Sequence, residues 1–307
     1  MIESLLHEAF YPLGFSLAIE TNSQPVLEAA RLEWSSWPQL PTPNSPLPAL
    51  NIHVTADSTT RPPASTFQAR DHLFAIVSDS ANFGVGDTRT GVASAWLTSA
   101  AVEDPAWLQY HFLDALAFQL ITSAHLTPIH ASCVSRNGHA TLLAGDSHAG
   151  KSSLAYACAR RGWTYLSDDS CPLLRRAAAD RVVLGTPHSL RLRPDGPNLF
   201  PELAEFKPTL RGNGKLVLQI PTSSLPIATA PTARAVRFIL LDRRAGPPRL
   251  TRVHEFRARE LCAQHFYHWD PPVAAEQFAA LDEMLKRVEV LELEYSNLEE
   301  AVDLLEK

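Results

Sequence analysis

Cysteine is scarce: four residues (Cys133, Cys158, Cys171 and Cys262) in a chain of 307. None forms a CxxC pair or stands near a histidine at zinc-ligand spacing, so neither a disulfide framework nor a small zinc module is expected. Long apolar runs are missing too. No stretch approaches the roughly 20 residues that span a bilayer, and the N-terminus MIESLLHEAFYPLG has neither a basic region nor a small-residue cleavage site. The expectation is a cytoplasmic protein without a membrane partner. Basic charge is in deficit, with 27 Lys and Arg against 33 Asp and Glu for a net charge of −6. This balance weighs against nucleic acid as a partner. Lysine is the rarest charge, found only at positions 151, 207, 215, 286 and 307, so a lysine in a suggestive place carries unusual weight.

What is present is an ordinary globular composition, 45% hydrophobic and 20% charged, long enough for two domains. The segment PQLPTPNSPLP (38–48) holds five prolines and reads as a loop or linker, because proline removes a backbone donor and disfavours helix before it. NIHVTAD (51–57) and HLFAIVS (72–78) read as strands separated by RPPAS (61–65). From Asp104 to Ala124, residues Trp107, Leu108, Phe112, Leu113, Leu116, Phe118, Leu120 and Ile121 recur near helical spacing, with Asp104 as N-cap and Pro105 as first helical residue. Residues 1–125 are therefore expected to form a β-rich N-terminal domain and 126–307 a second one. The second begins IHASCV, ATLLAG (140–145), a helix from Lys151 to Arg161 closed by Gly162, then WTYLSDD (163–169), the order of a βαβ unit. Further strands are expected around 182–185, 189–193, 215–220 and 235–242. The end (260–266, 274–293 and 297–307) reads as helical.

Residues 145–152, GDSHAGKS, fit the pattern GxxxxGK[ST] between a buried strand and a helix. Such a loop turns its backbone N–H groups and the positive end of the helix dipole toward phosphate. Gly145, Asp146, Ser147, His148, Ala149, Gly150, Lys151, Ser152 and Ser153 are thus the expected ATP-binding residues. Lys151 would reach the β- and γ-phosphates, and the Ser152 hydroxyl would meet Mg²⁺. Two sets of acids follow: Asp168 and Asp169 end the next strand in sequence, which beside the loop strand would set them at the γ-phosphate, and Asp242 closes the apolar run FILL. Asp242 is the alternative of a conventional ATPase or small-molecule kinase.

The stretch from His130 to Asp169 resembles the catalytic domain of HPr kinase/phosphorylase and the HPr-kinase-like serine kinases, including lasso-peptide tailoring kinases. That family shows a histidine before the first strand, GDSGxGKS, a helix ending in Arg-Gly and paired aspartates one strand later. Here His130, GDSHAGKS, Arg161-Gly162 and Asp168-Asp169 keep that order. The resemblance, weaker in SLRLRPDGPNLFPEL and GNGKLVL, extends over about 128–265 and leaves the N-terminal 125 residues uncovered. It implies an α/β fold, a P-loop kinase domain of the HPr kinase/PEP carboxykinase-like type with an N-terminal β-rich α+β domain and C-terminal helices.

It further implies ATP and Mg²⁺ as cofactors and phosphoryl transfer to a hydroxyl acceptor, a serine of a peptide or small protein. Asp168 would be the general base, Asp169 its support or, with Ser152, a metal ligand, and His130 the residue orienting the pair. Some relatives assemble as rings, so a homo-oligomer is compatible. Two departures stand out. His148 occupies a position where the family has glycine, and the Ile-Arg-Gly-Leu-Gly-type signature of the bifunctional enzyme has no counterpart, so neither phosphorolysis nor HPr as substrate is implied. Arg191, Arg193 and Lys215 are the cations expected near the phosphates or the acceptor. A small-molecule kinase and an ATP-holding scaffold are the alternatives. His53, His72, His111, His125, His265 and His268 show no ligand spacing and read as scattered, and AARLEWSSW (29–37) reads as core.

Overall fold

A computed structural model describes residues 5–35, 37, 39–40, 48–212 and 214–307. Most of the proline-rich segment 38–48 lies outside the described residues. The fold is mixed α/β with several sheets and helices. Two compact units emerge: residues 1–124 with 210–215 and 267–273, and residues 125–209, 216–266 and 274–307. The two short later segments count with the first unit although no composition shift along the chain announces them.

The first unit is built on a seven-stranded mixed sheet. Its strands are β1 (Leu6–Phe10), β2 (Leu17–Thr21), β3 (Ala49–Ala56), β4 (Thr66–Arg70), β5 (Leu73–Val77), β6 (Phe83–Asp87) and β7 (Val92–Thr98), in the order β1-β2-β3-β7-β6-β5-β4. Helix α1 (Gln24–Trp34) connects the parallel pair β2 and β3 and buries Val26, Leu27, Ala30 and Trp34. Leu17, Ile19, Leu50 and Ile52 alternate with more exposed residues along their strands and are fully buried, the period of a sheet with one covered face. After a short helix α2 (Ser99–Val102), the expected 104–124 helix forms in pieces: α3 (Pro105–Leu108), a π-helical turn (Gln109–Leu113) and α4 (Asp114–His125). Asp104 caps α3 by accepting from the Trp107 N–H at 3.0 Å. Trp34, inside AARLEWSSW, is buried and donates through Nε1 to Asp114 at 3.0 Å.

The second unit carries a nine-stranded sheet. It uses β8 (Leu126–Thr127), β9 (Ala131–Arg136), β10 (His139–Ala144), helix α5 (Lys151–Arg160), β11 (Thr164–Ser167), β12 (Leu173–Leu174) and β13 (Val182–Leu184). A smaller sheet follows with β14 (Ser189–Leu192), β15 (Thr209–Leu210) and β16 (Leu216–Pro221), and the chain returns with β17 (Thr232–Arg243) and β18 (Arg249–Arg252). It closes with α6 (Glu255–Ala263), α7 (Pro271–Leu285), β19 (Glu289–Tyr295) and α8 (Leu298–Leu305). The main path is β11-β9-β10-β17-β13-β12-β8, with β19 beside the later part of β17.

Two expectations change here. The strand after α5 is not the neighbour of β10: β9 lies between them, antiparallel to both, so β10 and β11 run parallel with one strand intervening. Residues 289–293, read as the continuation of a helix, form β19 parallel to β17. In VLELEY the apolar side chains Leu291, Leu293 and Tyr295 alternate toward buried positions, and pairing along β17 overrides the helical tendency of Leu and Glu.

Candidate functional site

The loop 145–150 leaves the buried end of β10 and enters α5. Its neighbour on one side is β17, where Ala144 pairs with Leu240. Gly150 is the N-cap of α5 with φ 90°, and a Cβ on it would lie 2.3 Å from the Tyr295 hydroxyl, so both backbone shape and space require glycine. That hydroxyl donates to the Ala149 carbonyl at 2.7 Å, a buried strut from β19 to the underside of the loop. Lys151 donates from Nζ to the carbonyls of Gly145 at 2.8 Å and Asp146 at 3.3 Å. Burial lowers its pKa while Asp169 and Asp146 oppose that shift.

His148 has a left-handed backbone, φ 71°, the region that favours glycine. Such a conformation costs an L-residue about 1–2 kcal/mol. Its exposed ring receives a hydrogen bond at Nδ1 from Arg193, a surface contact of small worth. His148→Gly should therefore stabilise the fold by roughly 0.5–1 kcal/mol, the strain relieved less the entropy that glycine adds to the unfolded chain. Chemical-denaturation midpoints at unchanged slope measure this; a loss of stability would mean that the Arg193 contact outweighs the strain.

The acidic turn follows β11. The Asp168 backbone carbonyl accepts from Ser152 Oγ at 3.1 Å and also from Ser132 Oγ, which ties the turn to the first turn of α5 and to β9. The two carboxyl groups then part company. Asp168 is 2% exposed, and the Tyr165 hydroxyl sits 3.0 Å from its Oδ1. Burial pushes its pKa up to about 6; Arg191 pulls it down, Asp169 raises it, and the Tyr165 bond lowers it. The Asp169 side chain is 52% exposed, with Oδ1 3.5 Å from His130 Nδ1. The Asp168 carboxyl, which the resemblance implies as the base, thus lies behind the surface, whereas that of Asp169 stands half exposed at it.

His130 is lowered in pKa by burial, against the pull of Asp169 and with a further push from Lys151, so its ring is neutral near pH 7. His265, read from sequence as scattered, sits just after α6 with its ring centroid 5.1 Å from that of His130. Its pKa too is lowered, by burial first and then by His130. Only tertiary packing brings His265 there; no local spacing signals it.

The expected cations have different surroundings. Arg191 lies at β14 with its charge acting on Asp168, and its buried Nε has no hydrogen-bond partner among the described residues. Arg193 meets the loop through His148. Lys215 belongs to the first unit. Asp242, the alternative acid, is paired with Arg244 at 2.6 Å. The adjacent Arg243 passes within 3.8 Å of where a Gly150 Cβ would stand, and its guanidinium lies 5.8 Å from the Tyr295 ring centroid. Neither Arg243 nor Tyr295 is flagged by any sequence motif.

Among the described residues no group of three His, Cys, Asp or Glu side chains is placed to hold a metal ion, and no helix is long and apolar enough to cross a membrane. A dedicated metal cage is thus absent from this part of the chain. A nucleotide-bound Mg²⁺ needs less, one or two protein oxygens completed by phosphate and water, and the Ser152 hydroxyl, in the first turn of α5, is of the kind that could supply one.

No protein-family model matches the chain, and no curated protein matches it in sequence. Among solved structures it is similar to the HPr(Ser) kinase/phosphatase from Coxiella burnetii, at 14% identity and a TM-score of 0.29, over 58% of this chain and 95% of that one. A likeness this loose leaves function to be read from the chain's own residues.

Proposed function

We propose that the second unit is an ATP-dependent kinase that transfers the γ-phosphoryl group to a hydroxyl, most readily a serine of a peptide or small protein. The observation that carries this reading is the tie between Ser152 Oγ and the Asp168 carbonyl, which holds an acidic turn against the phosphate-loop helix. Loop amides and Lys151 bind the phosphates, and the Ser152 hydroxyl is the protein's own ligand for Mg²⁺. When bound, that ion draws charge from the phosphate oxygens. Asp169 accepts the proton of the acceptor hydroxyl, and His130, neutral and beside it, fixes its direction. Asp168, buried and bonded to Tyr165, positions the turn. The substitution of His148 for glycine does not argue for an inactive scaffold, since the loop keeps the backbone shape that glycine would give.

The test is incubation of the purified protein with γ-labelled ATP, Mg²⁺ and extract split into protein, peptide and small-molecule fractions, with Asp169→Asn as control. Label in the protein or peptide fraction that vanishes with the variant is the expected result. Label only among small molecules would make the enzyme a metabolite kinase, and no label despite measured ATP binding would remove the kinase reading.

A further inference from the structure

The strand order gives the loop two unlike sides. On the β9 and β11 side stand Asp168, Asp169 and His130; on the β17 and β19 side stand Arg243 and Tyr295. If the phosphate to be transferred lies by Asp169 and Lys151, as the proposed function requires, the remainder of the donor extends toward β17 and β19. The side chain it meets there is distinctive. Arg244 is engaged by Asp242 and Glu294, and Arg249 by Glu294, whereas Arg243 is exposed and has no acidic partner among the described residues. Its guanidinium instead lies over the ring of Tyr295, whose hydroxyl is anchored on Ala149.

We infer that Arg243 carries the nucleobase of the phosphate donor, which stacks on the guanidinium and extends the Tyr295–Arg243 pair outward. The inference rests on the kinase reading and adds to it the donor's nucleoside subsite. Guanidinium suits the role: it is planar, weakly hydrated and stacks on aromatic faces, while a lysine ammonium offers only a hydrated point charge. Tyr295 orients it from a fixed base, so less side-chain freedom is lost on binding.

The experiment measures binding of Mg-ATP and of magnesium tripolyphosphate, which has the phosphates but no base, to the full chain and to Arg243→Ala, Arg243→Lys and Lys151→Ala. Arg243→Ala should weaken ATP about ten-fold, the scale of one stacked base, and leave tripolyphosphate unchanged. Arg243→Lys should be as weak as Arg243→Ala, and Lys151→Ala should weaken both ligands. Because Arg243 is exposed, the melting temperature of its variants should match that of the parent protein; if the alanine variant does not fold, the lysine variant gives the same comparison. Unchanged ATP affinity overturns the inference, and so does an equal loss for tripolyphosphate, which would place Arg243 on the phosphates. A parent protein that binds tripolyphosphate as tightly as ATP also overturns it while sparing the phosphate loop. Binding of neither ligand would instead remove the kinase reading and the nucleoside subsite with it.

Discussion

Lys151→Ala should lower phosphoryl transfer by roughly 10³-fold, the scale for removing a positioned charge from a developing anion, and weaken nucleotide binding as well. Asp169→Asn should behave differently. Transfer should fall by at least about 10²-fold, as for loss of a positioned base, with Mg-ATP affinity nearly kept, because the phosphates are held by the loop and Lys151. Single-turnover rates at saturating ATP, beside equilibrium binding, separate the two effects. Full turnover in Lys151→Ala would refute the phosphate-loop reading. An unaffected rate in Asp169→Asn, with a large loss in Asp168→Asn, would return the base to the buried carboxyl.

Asp168→Asn is expected to make the protein more stable above neutrality. Burial pushes the carboxyl up to about 6 in the folded chain, above the ordinary 3.8. Since the folded value is raised, the stabilising share of this group is fully present below pH 3.8 and is lost as pH rises through about 6. At roughly 1.4 kcal/mol per pKa unit, ionising the buried carboxyl costs about 3 kcal/mol at pH 8. Asparagine keeps an acceptor for the Tyr165 hydroxyl and cannot ionise, so the variant should gain about 1–3 kcal/mol at pH 8 and nothing near pH 3.5. Denaturant melts of both proteins at several pH values check this. A gain that does not change with pH would mean that Asp168 is not the titrating group.

The strand, loop and helix of residues 139–160 were legible because their signals are local: a buried apolar strand, a glycine-bounded turn and a helix start need no tertiary information. The acidic pair was legible as a pair only. Adjacent residues in sequence gave no sign that one side chain turns inward to Tyr165 and the other outward to His130; that division depends on packing around β9 and β14. His265, Arg243 and Tyr295 were invisible for the same reason, each arriving from more than 90 residues beyond the loop. The misread strand β19 shows the limit of pattern reading. Glu and Leu favour helix in isolation, and only the partner strand β17 made their alternation decisive.

The position of β10 between a local partner and a distant one sets an order of assembly. Its hairpin with β9 closes through two residues, Asn137 and Gly138, both with positive φ, and such hairpins form in roughly 1–10 μs. The opposite wall, β17, arrives from some 90 residues further along the chain, and that encounter is slowed by chain entropy. The final shape of the 145–150 loop should consequently be a late event in refolding, trailing the burial of the hairpin. A ribosome-bound chain that has not yet emitted β17 and β19 would carry the whole GDSHAGKS motif and still lack the wall and the strut that shape it.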